Sequence, residues 1–367
     1  MNTSAFDSEF QQWLTRTETI VTLDPIGFDN HIDTLHSLNQ KKMTKEIIQL
    51  LYDLLPLPDA LENFTYEEAV ATMRDLGIFI GILKKLGIEP VEVVPELEYV
   101  LLVLMVKTDL PPRDTLIHYT SWNPDGLRMR TYTGLADEKC LIESVKMAMP
   151  DLFSAILDLQ KLHSVDISDP IFAILCQNVQ EKISGMVRGI VHAKRNVSPA
   201  VFANELRFYY DPIKVDYGKD YIGPGAVEMP MFVFDHLLWS CDCSDEYYSK
   251  FKEGYLLYNL NFVGEIYWNF KNKPSLLSIA IERLKTSADA STLRSAYQIN
   301  QLGTILKSFR MPHKKLAENA YAHGEEHHKT KGSGGYSTNI LEQILALQNE
   351  RFSNLQHALA SAERVAK

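Results

Sequence analysis

Asp169-Pro170-Ile171-Phe172-Ala173-Ile174-Leu175-Cys176-Gln177-Asn178-Val179 opens the stretch that decides the fold class. Asp169 is a capping residue set before a proline in the first turn, where the missing proline N–H is not needed. Beyond it Ile171, Ile174, Leu175, Val179, Met186, Val187, Ile190 and Val191 recur at helical spacing. The same signals lie on either side. Thr65-Tyr66-Glu67-Glu68 is a capping box, with Gly87 where its helix would stop. Ser198-Pro199 starts another helix, and Ser337-Thr338-Asn339 starts a last one that reaches close to Lys367. Alternating, strand-like patterns are scarce, and no internal repeat or low-complexity tract is visible. The chain therefore reads as all-α. Leu110-Pro111-Pro112 cannot continue a helix, so the expected division is a small N-terminal helical domain, 1–109, and a large helical domain, 110–367. The stretch 121–138 and the stretch from Tyr217 through Gly223-Pro224-Gly225 read as loops.

Composition excludes several classes. With 367 residues, 46% hydrophobic and 23% charged, the balance is that of a soluble protein with a large core. A net charge of −10 and a pI near 5.6 argue against a nucleic-acid partner, which needs a basic footprint. The apolar run from Tyr99 to Val106 is too short to span a bilayer. Cys140, Cys176, Cys241 and Cys243 lack the spacing of a structural zinc site. They read as reduced thiols, and the first residues show no signal-peptide pattern. The expectation is a cytoplasmic protein with no membrane partner.

Chemistry concentrates near Arg310-Met311-Pro312-His313. Around His313, Leu306, Phe309, Leu316, Ala317 and Ala320 fall on one helical face, so the imidazole sits on an apolar stripe with a cation one turn before it. Pro312 is expected to kink its helix. A polar, glycine-rich stretch follows, with Gly332-Ser333-Gly334-Gly335-Tyr336 able to approach a flat ligand and to act as a lid. One imidazole, one cation and a glycine loop suit a haem held by a single histidine, with the other face open. The plainer alternative is a satisfied core histidine. Phe202 and Arg207 lie within two turns of each other and offer a stacking face and a carboxylate clamp; alternatively Phe202 is core and Arg207 pairs with Asp211 or Glu205 at the surface. Asp235, within the apolar run Phe232–Trp239, either finds a buried partner in Arg310 or His313 or faces water. His236 beside it is an alternative iron ligand. His323-Gly324-Glu325-Glu326-His327-His328 has non-haem metal ligands, although a solvated rim is the simpler reading.

Several of these stretches also carry a family likeness. Tyr221-Ile222-Gly223-Pro224-Gly225-Ala226-Val227-Glu228-Met229-Pro230, Arg310-Met311-Pro312-His313 with Leu316-Ala317-Glu318, and Gly332-Ser333-Gly334-Gly335-Tyr336 closely resemble the monodechloroaminopyrrolnitrin synthase family, haem enzymes that rearrange a chlorinated tryptophan. Leu110-Pro111-Pro112-Arg113 and Tyr132-Thr133-Gly134-Leu135 look like it as well, and the likeness runs from about Phe64 through the last helix. More distantly the pattern is similar to indoleamine 2,3-dioxygenase, with a smaller N-terminal domain and a large helical domain holding haem b. The stretch 324–331 and the first sixty residues depart most.

The resemblance implies His313 as the proximal ligand of haem b and Arg310 as a propionate or supporting partner. It implies that Asp235 pairs with that arginine. Phe202 and Arg207 would meet the indole ring and carboxylate of a tryptophan-like substrate. Ser333 and Gly334 would lie where the glycine loop approaches haem and substrate. Tyr321, about 12 Å along an ideal helix past His313, would reach only the haem edge. The implied activity is a haem-dependent oxidoreductase that uses dioxygen and an electron donor from outside the chain, either inserting oxygen across the indole 2,3-bond or rearranging the ring. A haem-binding sensor or carrier without turnover, and a non-haem metalloenzyme using His323, His327 and His328, are the rival readings.

Overall fold

Helix ends in the computed structural model, which describes residues 3–287, 289–323 and 339–366, follow the capping chemistry. The main helices are α1 (Thr3–Ile20), α2 (Tyr66–Lys85), α3 (Glu96–Thr108), α4 (Ala136–Leu162), α5 (Pro170–Asn196), α6 (Pro199–Asn204), α7 (Met231–Asp235), α8 (Glu246–Gly254), α9 (Leu276–Thr286), α10 (Ala290–His323) and α11 (Asn339–Ala366). Thr65 Oγ1 accepts from Glu68 N at 3.2 Å while Glu68 accepts from Thr65 N at 2.8 Å, closing the capping box of α2. Asp169 and Ser198 cap α5 and α6 through Ile171 N and Val201 N. The α10 helix runs on through Pro312 without a break in its assignment.

Why α2 is central follows from its side chains. Every residue from Ala69 to Leu83 is buried, so no face is left for solvent. The helix lies between two hydrophobic cores. The larger gathers α1, α4, α5, α7, α8, α9, the first half of α10 and the length of α11; the smaller gathers most buried residues between 28 and 104 with Tyr119, Tyr132 and Tyr209 to Tyr221. Phe6, Phe10 and Trp13 recur along one face of α1 and carry it into the larger core, with Trp13 edge-on to Phe153 at 4.9 Å. Two ionised pairs cross the interior. Arg74, fully buried, donates to Asp75 at 2.7 Å and to the carbonyls of Ile20, Leu23 and Trp122. Arg130 joins it on Asp75 at 2.8 Å. All these charges have partners, the condition under which buried ions are tolerated.

One element was not read from sequence. Ile213–Val215 pairs antiparallel with Lys219–Tyr221, so the stretch after Asp211 is a short hairpin rather than a plain loop. Its turn places Asp216, Tyr217 and Gly218 at φ of 53°, 61° and 83°. Among the described residues this is the sole sheet, and the chain is all-α otherwise. No helix among those residues is long and apolar enough to cross a membrane.

The pair α4–α5 forms the most extensive helix contact of the chain. A Cβ on Gly189 would stand 2.6 Å from the Ser144 carbonyl oxygen, so only glycine permits this backbone approach. That contact positions one wall of the site.

Candidate functional site

The apolar stripe of α10 opens onto a cavity of about 350 Å³, within the range of ligand and cofactor sites. Phe309, Arg310, His313, Leu316, Ala317 and Ala320 form one wall. Leu141, Ser144, Val145 and Ala148 of α4 and Met186, Gly189, Ile190 and Ala193 of α5 form another. The α6, α7, α8 and α11 helices contribute Phe202, Phe232, Asp235, Tyr248 and Ile344, and Arg207 enters from the 3₁₀ turn Leu206–Tyr210. Five residues singled out by sequence, Phe202, Arg207, Asp235, Arg310 and His313, thus line one cavity although they come from four separate segments. The walls are otherwise aliphatic or aromatic, with Ser144 and Tyr248 as the other polar groups.

His313 is half-buried, its ring stacked on Phe309 at 5.6 Å with an interplanar angle of 16°. No hydrogen bond reaches its ring nitrogens from the described residues. Burial, and secondarily the Arg310 charge, lower its pKa to about 4. It is therefore neutral at neutral pH, with a lone pair available.

Arg310 and Asp235 form a buried ion pair beside it. Asp235 is 1% exposed, which removes the reading in which it faces water, and its partner is Arg310 rather than the His313 ring. The carboxylate also accepts from Trp239 Nε1 at 2.9 Å and Tyr248 Oη at 2.9 Å. The Tyr248 hydroxyl is held far above its usual range by burial and by the Asp235 charge, so it keeps its proton and donates. The other arm of the Arg310 fork donates to Gln348 Oε1 on α11, and Gln348 Nε2 donates to Gly303 O at 3.2 Å. Tyr248 and Gln348 were not anticipated. Gln348 had a visible signal, because it interrupts the apolar face made by Ile340, Ile344, Phe352 and Leu355.

The segment after Asp235 widens into a π turn, His236–Ser240, a device frequent at functional sites. It also decides the alternative ligand. His236 is 1% exposed and lies away from the cavity. Its Nε2 donates to Tyr267 O at 3.1 Å, and its Nδ1 accepts from Lys252 Nζ at 3.2 Å. Neither nitrogen remains for a metal. Burial, with the Lys252 charge second, lowers its pKa to about 2. The folded-state value lies below the ordinary one, so this histidine contributes its full stability above about pH 6.5, and that contribution is lost as pH falls toward 2. Histidine-selective NMR should show the His236 ring unchanged from pH 7.5 to 4.5; a midpoint near 6 would refute the enclosure described here.

Arg207 is 4% exposed, so it is no surface residue, and Phe202 lines the cavity while its flank packs on the smaller core. Glu205 pairs with Lys85 and accepts from Tyr209 Oη at 3.0 Å. Ser333 and Gly334, the whole glycine stretch and His327 and His328 lie outside the described residues, as do the side chains of Tyr321 and His323. The cavity wall nonetheless includes Ala320 and Ile340, which flank that stretch.

The profile of monodechloroaminopyrrolnitrin synthase PrnB matches residues 4–365, nearly the whole chain. The chain belongs to that family. PrnB-family proteins are enzymes, and their helical fold is of the indoleamine 2,3-dioxygenase type, as the all-α architecture here is. The match includes the whole of α10 with His313, and α4, α5 and α6 of the facing walls.

Proposed function

We propose that the cavity holds haem b through the His313 imidazole and that the chain is an oxidoreductase acting on tryptophan or a related indole with dioxygen. The observation that carries this is a neutral imidazole with no hydrogen-bond partner among the described residues, set in the wall of a largely apolar cavity beside a charge that is already neutralised. That donor fits a porphyrin iron, which takes one neutral imidazole and an apolar pocket. When bound, haem would supply dioxygen activation and one-electron chemistry that no side chain in the cavity offers.

The chain's own residues bind and orient. Burial first, and second the positive charge of Arg310, fixed by Asp235 and Gln348, keep the His313 ring from taking up a proton. Asp235 is saturated by Arg310, Tyr248 and Trp239, so it does not draw His313 toward an imidazolate. Phe202 offers its ring to the indole and Arg207 its guanidinium to the substrate carboxylate, an arrangement that fixes the reacting edge. Ser333 and Gly334 would complete the substrate and cofactor contacts, with Tyr321 at the edge. The electron donor lies outside this chain, and cytoplasmic placement accords with the absence of a long apolar helix among the described residues.

Protein produced with ample haem should show a Soret band that L-tryptophan perturbs, and Arg207→Ala should raise the concentration needed by about tenfold or more. A colourless protein overturns the cofactor. An unchanged L-tryptophan response in Arg207→Ala overturns the substrate clamp and favours a sensor or carrier.

A further inference from the structure

The helix pair α4–α5 carries a second cluster that the proposed reaction does not use. Cys140 and Glu143 stand about one turn apart on α4, which puts both on the same face. His192 meets them from α5, and the thiol sulfur, a carboxylate oxygen and a ring nitrogen all lie within 4.8 Å of one another. His192 Nε2 is 3.6 Å from Glu143 Oε2. This nitrogen is buried yet has no hydrogen-bond partner among the described residues. Nδ1 has a long contact with Asn196 Nδ2, 3.4 Å, that asks little of the ring.

We propose that Cys140, Glu143 and His192 form a site for a first-row divalent cation of the zinc type. One sulfur, one nitrogen and one oxygen from two rigid helices make three corners of a tetrahedron, with water at the fourth. Ligand separations in such a sphere are roughly 3.5 Å, from bonds of about 2.0–2.3 Å. Closing from the present spread takes side-chain rotation alone, because Glu143 is exposed and the other two are half-buried. Binding forms a sulfur–metal bond and releases the thiol proton to solvent. His192 then keeps its proton on Nδ1, while Asn196 Nδ2 stays on the His192 carbonyl, to which it donates at 2.9 Å.

An isolated His–Glu pair at a surface explains the 3.6 Å contact of Nε2, but it leaves the nearby thiol without a purpose. The helices do not need to move. The Gly189–Ser144 backbone contact, one turn from both ligating segments, already fixes their separation. A cation here staples α4 to α5 next to Leu141, Ser144 and Ala193, which face the cavity.

The test uses the full chain with bound cofactor and with His323, His327 and His328 replaced by alanine, so that the other histidine-rich stretch is silent. Titration calorimetry should show one Zn²⁺ per chain, weakened about tenfold or more by Cys140→Ser or His192→Gln. Zn²⁺ should also slow iodoacetamide alkylation of Cys140, followed by peptide mass, and His192→Gln should abolish that protection. If a replacement changes metal-free melting, Glu143→Gln at its exposed position takes its place. Alkylation of Cys140 at one rate with and without Zn²⁺, or protection that survives His192→Gln, overturns the site.

Discussion

His313→Ala is expected to give a folded protein that has lost its Soret band. The side chain is half-buried and bonded to nothing described, so its removal leaves no orphaned partner, and the cavity already beside it can absorb the lost volume. The coordinate bond is then the whole difference. We expect haem binding at least a hundredfold weaker, about 3 kcal/mol on the usual affinity scale. Circular dichroism should remain that of the parent, and added imidazole should restore part of the absorption by occupying the vacated space. A variant that keeps both the band and its position places the ligand elsewhere and removes the basis of the proposed chemistry.

Arg310→Ala is expected to act in the opposite way, on the fold before the chemistry. Asp235 is 1% exposed and would keep only the Trp239 and Tyr248 donors. Breaking a buried pair from one side costs about 3–5 kcal/mol, because the remaining charge has lost its counter-ion. Against a total stability of about 5–15 kcal/mol this is severe, with a fall in Tm of roughly 10 °C. The double replacement Arg310→Met with Asp235→Leu should recover most of that loss, since neither charge then remains. Thermal unfolding of the parent, Arg310→Met, Asp235→Leu and the double variant measures the coupling. A single-variant loss below about 1 kcal/mol would mean that the pair is solvated and not interior.

The parts of the molecule legible in sequence are those governed by short-range rules. The stripe around His313 needs only helical spacing, and the caps at Thr65, Asp169 and Ser198 need only their neighbours. Cavity residues on one helix were therefore found as a set. Asp235 posed a different problem, because its partner lies 75 residues away on α10 and nothing local distinguishes Arg310 from water. Tyr248 looked like one aromatic among many. The hairpin was missed because strands of three residues are too short to show alternation. The Cys140, Glu143 and His192 cluster was invisible for the same reason as the Asp235 pair, its members belonging to two helices that only folding brings side by side.

The contact between Gly189 and the Ser144 carbonyl has a bearing on how this site can diversify. At Gly189 the spacing of α4 and α5 is set by main chain against main chain, and no side chain fits at that position. A larger or smaller chamber is therefore reached by exchanging side chains, such as Phe202, Ile344 or Leu316 on the facing surfaces, and not by shifting α4 against α5.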